Sequence, residues 1–192
     1  ANTLVYTKQR GIVIREPSAV AVQKDSRGMI QVLDVGEDAK QMLGRTQGSI
    51  TAIRPMKDGV ISDIVITQEL LRSFLMLTHS KFSFFRFKPR IVVAVPSGIP
   101  QVERRAVKEA AESAGAREVF LIEEPMAAAL GAGVPIGEAP GTMGLHIGSG
   151  SPEIAIIALS GIVSSDSLRC SGGGFEYAIL LFVRRDCGLH HC

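Results

Sequence analysis

The fold is decided by residues 118–129, Glu118-Val119-Phe120-Leu121-Ile122-Glu123-Glu124-Pro125-Met126-Ala127-Ala128-Ala129. The first half is a short apolar run that predicts a buried strand, and the alanine-rich second half predicts a helix. Pro125 stands at the junction, where its missing N–H costs a helix nothing and its fixed φ favours helix initiation. Two carboxylates therefore lie at a strand-to-helix turn. Catalytic groups of α/β sheets are often found at such turns, although the helix dipole alone also favours acids there.

The same alternation of strand and helix extends upstream of this stretch. Ile91-Val92-Val93-Ala94-Val95 is continuously apolar and is bounded by Pro89 and Pro96, which is typical of a central parallel strand. Residues 101–114 have the pattern of an amphipathic helix that ends at Gly115. Strand, helix, strand and helix in this order predict right-handed βαβ crossovers.

Further elements are predicted on both sides. The opening strands, at residues 4–6, 11–15 and 18–22, are expected to form a meander. The other predicted strands are 32–35, 51–54, 154–159 and 161–168, and the other predicted helices are 37–43, 62–80 and 175–185. Residues 131–141 are rich in Gly and Pro and are interpreted as a hinge between two lobes. Residues 144–151 then begin a second copy of the opening hairpin, as a weak internal repeat.

The composition limits the class of protein. The 192 residues are enough for a sizeable core in one domain or two small ones. The net charge of +2 is too small to indicate a nucleic-acid partner. No apolar run is long enough to span a membrane, and no signal peptide is found. The three cysteines, Cys170, Cys187 and Cys192, do not form an even set, which fits free thiols in a reducing cytosol.

Several long strings point to one family. Residues 122–129 look like the start of the interdomain helix in the actin and heat-shock chaperone ATPase superfamily. Four other strings resemble the MreB family of bacterial actin-like rod-shape proteins: Asp38-Ala39-Lys40-Gln41-Met42-Leu43-Gly44-Arg45-Thr46, Arg54-Pro55-Met56-Lys57-Asp58-Gly59-Val60-Ile61, Gln101-Val102-Glu103-Arg104-Arg105-Ala106 and Gly115-Ala116-Arg117-Glu118-Val119-Phe120-Leu121-Ile122. The resemblance runs from Ala1 to about Arg185.

This resemblance implies an α/β fold with a ribonuclease-H-like first lobe, as in actin-like ATPases, and the beginning of a second like lobe. The first lobe is expected at residues 1–140, with a small outer subdomain at about 24–60 and a mixed five-stranded sheet covered by helices on both faces. Residues 141–192 are expected to begin the second lobe. The chain starts without an initiator Met, just after the position of the family's first phosphate loop, so a truncated or divergent member is expected.

A phosphate-binding loop is predicted at Gly148-Ser149-Gly150-Ser151. Small residues let backbone N–H groups approach phosphate oxygens, and serine hydroxyls can donate as well. The resemblance aligns this string with the family's second phosphate loop and places Ala1, Asn2 and Thr3 directly after the first. All of these residues are therefore predicted to contact a nucleotide, which the family implies is ATP with Mg²⁺.

Two departures from the family pattern argue against normal ATP hydrolysis. His146 stands at the position of an Asp, and neutral imidazole is a poor substitute for an oxygen ligand of Mg²⁺ or its bound water. Pro152 removes a backbone donor beside the loop. His146 is interpreted as a buried, hydrogen-bonded histidine in preference to a metal ligand, and no metal ligand is predicted in this chain. Weak ATP binding and little turnover are expected.

Glu124 aligns with the family residue that orients or activates the attacking water. A carboxylate can accept a proton from that water or hold it in line, which is the help that phosphoryl transfer needs. Glu123 is interpreted as structural. Residues 171–175, Ser171-Gly172-Gly173-Gly174-Phe175, align with a family turn before a second-lobe helix, although the acidic residue of that turn is absent and a plain flexible loop explains them equally well.

The carboxyl-terminal residues Cys187, His190, His191 and Cys192 raise the alternative of a zinc site. Structural zinc sites usually draw their ligands from two separated clusters, whereas all four residues crowd one terminus here. The resemblance to the family also stops at this point. An irregular chain end is therefore the preferred interpretation.

Residues 81–88, Lys81-Phe82-Ser83-Phe84-Phe85-Arg86-Phe87-Lys88, interleave aromatic rings with cations. An edge strand that buries Phe82 and Phe84 and exposes Phe85 and Phe87 is one explanation. Contact with an anionic membrane surface is the other, since rings enter the lipid interface while cations meet headgroups. The family inserts a hydrophobic loop into the inner membrane at this place, which favours membrane contact for all four rings.

The resemblance implies an ATP-binding cytoskeletal protein that forms filaments and controls rod shape and lateral wall synthesis. Its expected partners are further copies of itself, the inner membrane surface and membrane proteins of the rod-shape complex, with no nucleic acid. The expected location is the cytoplasm, peripheral at the inner face of the cell membrane. One alternative is a degenerate, non-catalytic interaction or membrane-binding module. A chaperone-type ATPase is another, which the strings at 56–59 and 103–106 disfavour.

Overall fold

The computed structural model describes residues 2–25, 28–44, 49–57, 60–78, 88–148, 152–168 and 172–186. The chain forms two compact units. The first comprises Ala1–Val93 and Pro100–Leu121, and the second comprises Ala94–Ile99 and Ile122–Cys192. The short segment 94–99 therefore belongs to the second unit although both of its flanks belong to the first.

The first unit opens with a hairpin and a three-stranded sheet. Strand β1 (Asn2–Thr7) pairs antiparallel with β2 (Gly11–Pro17). Strand β3 (Val20–Lys24) lies between β4 (Ile30–Val35) and β5 (Ile50–Ile53), antiparallel to both, and the short helix α1 (Glu37–Gln41) follows β4.

The predicted meander of three opening strands is wrong in its pairing, because β3 pairs with β4 and β5 in the structure. The reason is the sharp turn after Pro17, whose carbonyl accepts the Ala19 N–H at 2.9 Å. Throughout the described residues the strands pair in sheets of two or three, so the expected five-stranded sheet is not seen in this part of the chain.

Helix α2 (Ile64–Thr78) carries the main apolar stripe of the first unit, after a small hairpin of β6 (Met56–Lys57) and β7 (Val60–Ile61). Asp63 Oδ1 accepts the Ile66 N–H at 3.0 Å and caps the first turn. Ile66, Leu70 and Phe74 follow one another at helical spacing and are almost fully buried. They pack with the strand residues Ile14, Val20 and Val22.

The predicted alternation around residues 91–123 is confirmed as β8 (Arg90–Val95), helix α3 (Gln101–Ser113) and β9 (Glu118–Glu123), with β8 and β9 as paired neighbours. One face of this pair is covered, since Ala111 and Val119 pack with Ile91 and Val93. The prediction that both strands are buried is wrong for the other face, where Val92 is 66% exposed and Phe120 48%. Successive side chains of a strand lie on opposite faces, and the described residues cover only one of them.

The second unit is a helix on a three-stranded sheet. Helix α4 (Glu124–Gly131) follows β9 directly, and β11 (Pro152–Ala158) lies between β10 (Thr142–Ile147) and β12 (Gly161–Ser167), antiparallel to both. Helix α5 (Gly172–Asp186) confirms the predicted last helix. Ala129 of α4 is buried with Ala155 and Ile157 of β11.

The loop predicted as a hinge, residues 131–141, is fastened to the second unit by backbone hydrogen bonds. The Leu159 N–H donates to the Glu138 carbonyl at 3.0 Å, and the Ser160 N–H donates to the Ile136 carbonyl at 2.8 Å. These bonds fix the loop against the turn between β11 and β12.

We expect Leu70→Ala to lower the free energy of unfolding by about 2–5 kcal/mol, because truncation leaves a cavity in a filled core. Leu70 is 1% exposed, whereas Leu77 of the same helix is 66% exposed. Leu77→Ala is therefore the matched control and should change the free energy by less than about 0.5 kcal/mol. Urea unfolding followed by circular dichroism measures both; equal effects of the two substitutions would contradict the described packing.

Candidate functional site

The turn from β9 into α4 places two carboxyl groups at the start of a helix, as the sequence predicts. Glu123 is the residue before the first helical turn, and its side chain makes no capping hydrogen bond to that turn. Pro125 is buried in the first turn, where a proline N–H would have no partner. The acids are therefore not explained as side-chain caps of α4, and the carboxyl groups are directed to other partners.

Glu124 lies beside His146, which β10 brings to the same place. The Glu124 Oε2 and His146 Nε2 atoms are 3.9 Å apart, and the two side chains are 32% and 38% exposed. The distance is too long for a hydrogen bond, so the pair is an ion pair only when the imidazole is protonated. Burial raises the pKa of the Glu124 carboxyl, and the nearby imidazole opposes this effect.

The expectation of a buried, hydrogen-bonded His146 is wrong in its burial. His146 lies next to the last residue of β10, where the strand leaves the sheet, and its side chain stays partly open to solvent. Nor does the described part of the chain bring together three or more His, Cys, Asp or Glu side chains in a way that could hold a metal ion.

Sequence reasoning missed Glu153, the most deeply buried acid of the described residues. Glu153 is 1% exposed and stands directly opposite His146 in the β10–β11 register. Its Oε1 accepts the Ser97 N–H at 2.8 Å, and no partner is found for its Oε2. The alternation of β11 carries a signal for it, because Glu153, Ala155 and Ile157 share the buried face.

Ser97 is the second residue that sequence reasoning missed. It follows β8, is 5% exposed, and its hydroxyl donates to Glu123 Oε2 at 3.0 Å. Ser97 thus joins two carboxyl groups, one through its backbone N–H and the other through its side chain. The sequence carries little sign of this role, since the two partners are 56 and 26 residues away.

The cluster of Ser97, Glu123, Glu124, His146 and Glu153 lies wholly within the second unit. Burial raises the pKa of Glu153, the Ser97 N–H opposes this, Glu124 raises it further, His146 lowers it, and Glu123 adds a smaller upward effect. The arrangement can therefore store a proton on a buried carboxyl group beside a partly exposed carboxyl group and an imidazole.

The predicted phosphate loop connects the ends of a described hairpin. Ile147 pairs with Pro152, so residues 148–151 join β10 to β11. Gly148 is described, whereas Ser149, Gly150 and Ser151 lie outside the described residues. Gly172, Gly173 and Gly174 lie within helix α5, so the expectation of a turn or a flexible loop before the helix is wrong for these three residues, and Ser171 is not described.

The other predicted nucleotide contacts belong to the first unit. Asn2 and Thr3 begin β1, and the Thr3 and Ser18 hydroxyls share a hydrogen bond of 2.8 Å. Ala1 lies outside the described residues.

The predicted membrane loop, with Phe82, Phe84, Phe85 and Phe87, also lies outside the described residues, as do Cys170, Cys187, His190, His191 and Cys192. Of the helices in the described part, none has the length and apolarity needed to cross a membrane.

Comparison with known proteins gives matches along nearly the whole chain. The family model described as MreB/Mbl protein matches residues 1–190. The cell shape-determining protein MreB of Escherichia coli (strain K12) is 57% identical over 189 residues, and the cell shape-determining protein Mbl of Bacillus subtilis (strain 168) is 45% identical over 186 residues. The alignments cover 98% and 97% of this chain but 54% of each relative. The chain thus spans about half the length of these curated relatives.

Solved structures confirm the predicted fold class of an actin-like lobe. A crystal structure of MreB5 of Spiroplasma citri bound to AMPPNP is 32% identical with a TM-score of 0.81, and the match covers 100% of this chain and 56% of that one. A structure of MreB5 bound to ADP gives 33% and 0.80, again over 100% and 56% of the two chains. A MamK double helical filament, 19% identical with a TM-score of 0.75 over 100% of this chain and 58% of that one, shares the fold.

The buried acids make stability depend on pH in a defined direction. The raised pKa values mean that Glu124 and Glu153 bind protons more tightly in the folded chain, so this contribution is fully present below the ordinary value of 4.5. It is lost as the pH rises through the raised values. Glu153→Gln removes the titration of Glu153 and keeps an amide oxygen for the Ser97 N–H. We therefore expect wild type to lose stability relative to Glu153→Gln as the pH rises above 4.5.

Urea unfolding at a series of pH values measures this difference. Glu138→Gln, which removes an exposed acid of the same unit, is the control and should run parallel to wild type. A constant difference between wild type and Glu153→Gln across the series would show that Glu153 has no raised pKa.

Proposed function

Since the chain belongs to the MreB/Mbl protein family, we propose that it provides the nucleotide-binding part of a bacterial actin-like filament protein that controls cell shape. The observation that carries this proposal is the 57% identity to a cell shape-determining protein along 98% of the chain. The proposed main partner is a further copy of the same protein. Lateral wall synthesis and rod shape are the proposed outputs of the filament.

The proposed nucleotide contacts lie in the connection between β10 and β11 and at the start of β1. The MreB5 structures were solved with AMPPNP and with ADP. For this chain we assign the phosphate contacts to Gly148, Ser149, Gly150 and Ser151 in the β10–β11 connection and to residues 1–3 at β1. Backbone N–H groups of small residues can approach phosphate oxygens closely, which supports the first group.

Glu124 is the proposed water-orienting residue. Its partial exposure leaves the carboxyl group able to reach a water, and its raised pKa makes its carboxylate a stronger base while lowering the fraction that is ionised. His146 opposes the rise in pKa, so a protonated imidazole favours the charged carboxylate but does not cancel the effect of burial. The two side chains together support slow turnover, with water orientation as the main contribution of Glu124.

A resident Mg²⁺ does not fit the described side chains. Mg²⁺ favours oxygen ligands in octahedral geometry, and His146 supplies an imidazole at the place of the expected acid. The described residues bring no three His, Cys, Asp or Glu side chains into an arrangement that could hold a metal ion. We therefore derive no step through the metal.

The domain organisation and the location of the protein are also proposed from its membership of the family. Residues 1–140 would correspond to the first actin-like lobe, with the outer subdomain at about 24–60, and residues 141–192 to the beginning of the second. The protein would lie in the cytoplasm at the inner face of the membrane, held there by the loop with Phe82, Phe84, Phe85 and Phe87. Membrane proteins of the rod-shape complex would be its partners there.

A non-catalytic interaction module is the second candidate. The observation in its favour is that His146 lies beside Glu124. The resemblance to the family implies an acid at this position, so the side chain next to the proposed water-orienting residue differs from the family pattern. In this alternative the chain retains binding to nucleotide or membrane without turnover.

The proposed nucleotide site predicts that His146→Asp increases the affinity for nucleotide in the presence of Mg²⁺. An added carboxylate can accept a hydrogen bond from Mg²⁺-bound water, and hydrogen bonds to charged groups contribute about 1.5–3 kcal/mol, so AMPPNP binding with Mg²⁺ should tighten about tenfold. Without Mg²⁺ the same substitution should weaken binding, since it adds a negative charge near Glu124. Calorimetry measures both, with His146→Asn as the uncharged control.

Phosphate release measures turnover, and sedimentation measures the amount of polymer. Glu124→Gln should retain binding and lose any turnover, which separates the catalytic from the non-catalytic candidate. If wild type and His146→Asp bind AMPPNP equally with and without Mg²⁺, the β10–β11 connection is not a phosphate site.

The membrane part predicts that Phe85→Ser/Phe87→Ser removes liposome binding. Each ring buried in the interface contributes about 1–3 kcal/mol, and each nearby cation adds about 1 kcal/mol on an anionic surface. Co-sedimentation with anionic liposomes measures this binding, and salt should weaken only its ionic part.

The matched control is Leu4→Ser/Tyr6→Ser, which removes two exposed apolar side chains at the same spacing on β1. It should leave sedimentation unchanged. A loop variant with a strongly reduced melting temperature that still sediments with liposomes would show that these rings belong to the core.

A further inference from the structure

The second unit contains a buried acid that the proposed function does not use. Glu153 is 1% exposed, yet its neighbours on the same face of β11 are the core residues Ala155 and Ile157. An apolar side chain would satisfy this position at lower cost, because a buried carboxyl group must be neutral or compensated. Glu153 instead meets a backbone donor on one oxygen, which indicates a role beyond packing.

The partner of Glu153 comes from a distant part of the chain. Ser97 lies in segment 94–99, which belongs to the second unit although its flanks belong to the first. The Ser97 N–H donates to Glu153 at 2.8 Å, and the Ser97 hydroxyl donates to Glu123 at 3.0 Å. Glu153 thus fixes the backbone of Ser97, and Ser97 in turn fixes the carboxyl group at the start of α4.

Glu124 is the next residue after Glu123. Its backbone is set by the same turn, and its carboxyl group is the one proposed to hold water. A hydrogen bond that fixes the side chain of Glu123 also limits the rotation of this turn, because Pro125 restricts the backbone on the other side.

We propose that Glu153 and Ser97 are positioning residues that hold the Glu123–Glu124 turn in the geometry needed for water orientation. This inference rests on the proposed role of Glu124. The chain of contacts runs from Glu153 Oε1 to the Ser97 N–H, and from the Ser97 hydroxyl to Glu123 Oε2. Neither Glu153 nor Ser97 needs to touch the nucleotide.

The charges around Glu153 fit this role. Its charged neighbours are Glu123 and Glu124 at the β9–α4 turn and His146 on β10, and burial with the two acids favours a proton on Glu153. A neutral carboxyl group accepts the Ser97 N–H without adding a third negative charge beside Glu123 and Glu124. Glutamine has the same shape and the same acceptor, so Glu153→Gln mimics the neutral acid, whereas Glu153→Ala removes the acceptor.

The first experiment needs no nucleotide. Carbon-13 NMR of the side-chain carboxyl groups follows the chemical shift of Glu123 and the titration of Glu124 in the whole chain. We expect Ser97→Ala to move the carboxyl chemical shift of Glu123 and the titration midpoint of Glu124, whereas Ser165→Ala, an exposed serine on β12, leaves both in place. Glu153→Gln should keep the amide chemical shift of Ser97, and Glu153→Ala should change it. An unchanged Glu123 chemical shift together with an unchanged Glu124 midpoint in a folded Ser97→Ala variant would overturn the proposal.

The second experiment measures phosphate release from Mg-ATP. Ser97→Ala should lower kcat about tenfold or more while KM changes less than about twofold, because a misplaced catalytic group affects the chemical step. Glu153→Gln should recover most of the turnover that Glu153→Ala loses. Equal losses in the two Glu153 variants would overturn the neutral-acid role.

The two experiments separate the proposed catalytic role of Glu124 from the proposed positioning role of Ser97 and Glu153. Wild type without turnover, together with a changed Glu123 chemical shift and a moved Glu124 midpoint in Ser97→Ala, would reject the proposed catalytic role of Glu124 and retain the positioning contact. Turnover that depends on Glu124 but is unchanged in Ser97→Ala would retain the function and reject the positioning role.

Discussion

The backbone N–H of Ser97 donates to a carboxyl group that has almost no contact with water, and the rest of the second unit is arranged around that bond. A buried carboxyl group without partners costs several kcal/mol, so its position tolerates few alternatives. β11 places the acid on its covered face, and the end of β8 supplies the donor. The same serine then orders the first residue before α4 through its hydroxyl.

The charge balance of this cluster has chemical consequences. Glu153 interacts with the carboxyl groups of Glu123 and Glu124 and with the His146 imidazole, and no group of side chains that could hold a metal ion is found in the described residues. Proton retention by Glu153 and partial neutralisation by His146 are the means available within this cluster to limit repulsion. The imidazole at position 146 therefore influences both Glu153 and Glu124.

Local signals in the sequence predicted most of the helices and strands. Strand pairing, burial and the contacts of the candidate site depend on residues that are distant in sequence. Residues 118–129 predict their own turn because Pro125 and the alanines act through local backbone preferences. The exposure of Val92 was not predictable from its apolar run, because burial depends on which elements cover each face. Glu153 and Ser97 were not identified from the sequence, because their role depends on a hydrogen bond between residues that are 56 positions apart. The phosphate loop beyond Gly148 and the phenylalanine loop lie outside the described residues and stay predictions.

The assignment of segment 94–99 to the second unit also constrains how the chain can fold. During synthesis Ser97 emerges well before Glu123 and Glu153, and residues 100–121 of the first unit are made in between. The second unit cannot complete its buried hydrogen bonds until residue 153 has been made, and closing so long a loop slows the formation of these contacts. A fragment that begins at residue 122 would leave Glu153 Oε1 without the Ser97 N–H donor. The residues of the two units are thus interleaved in the order in which the chain is made.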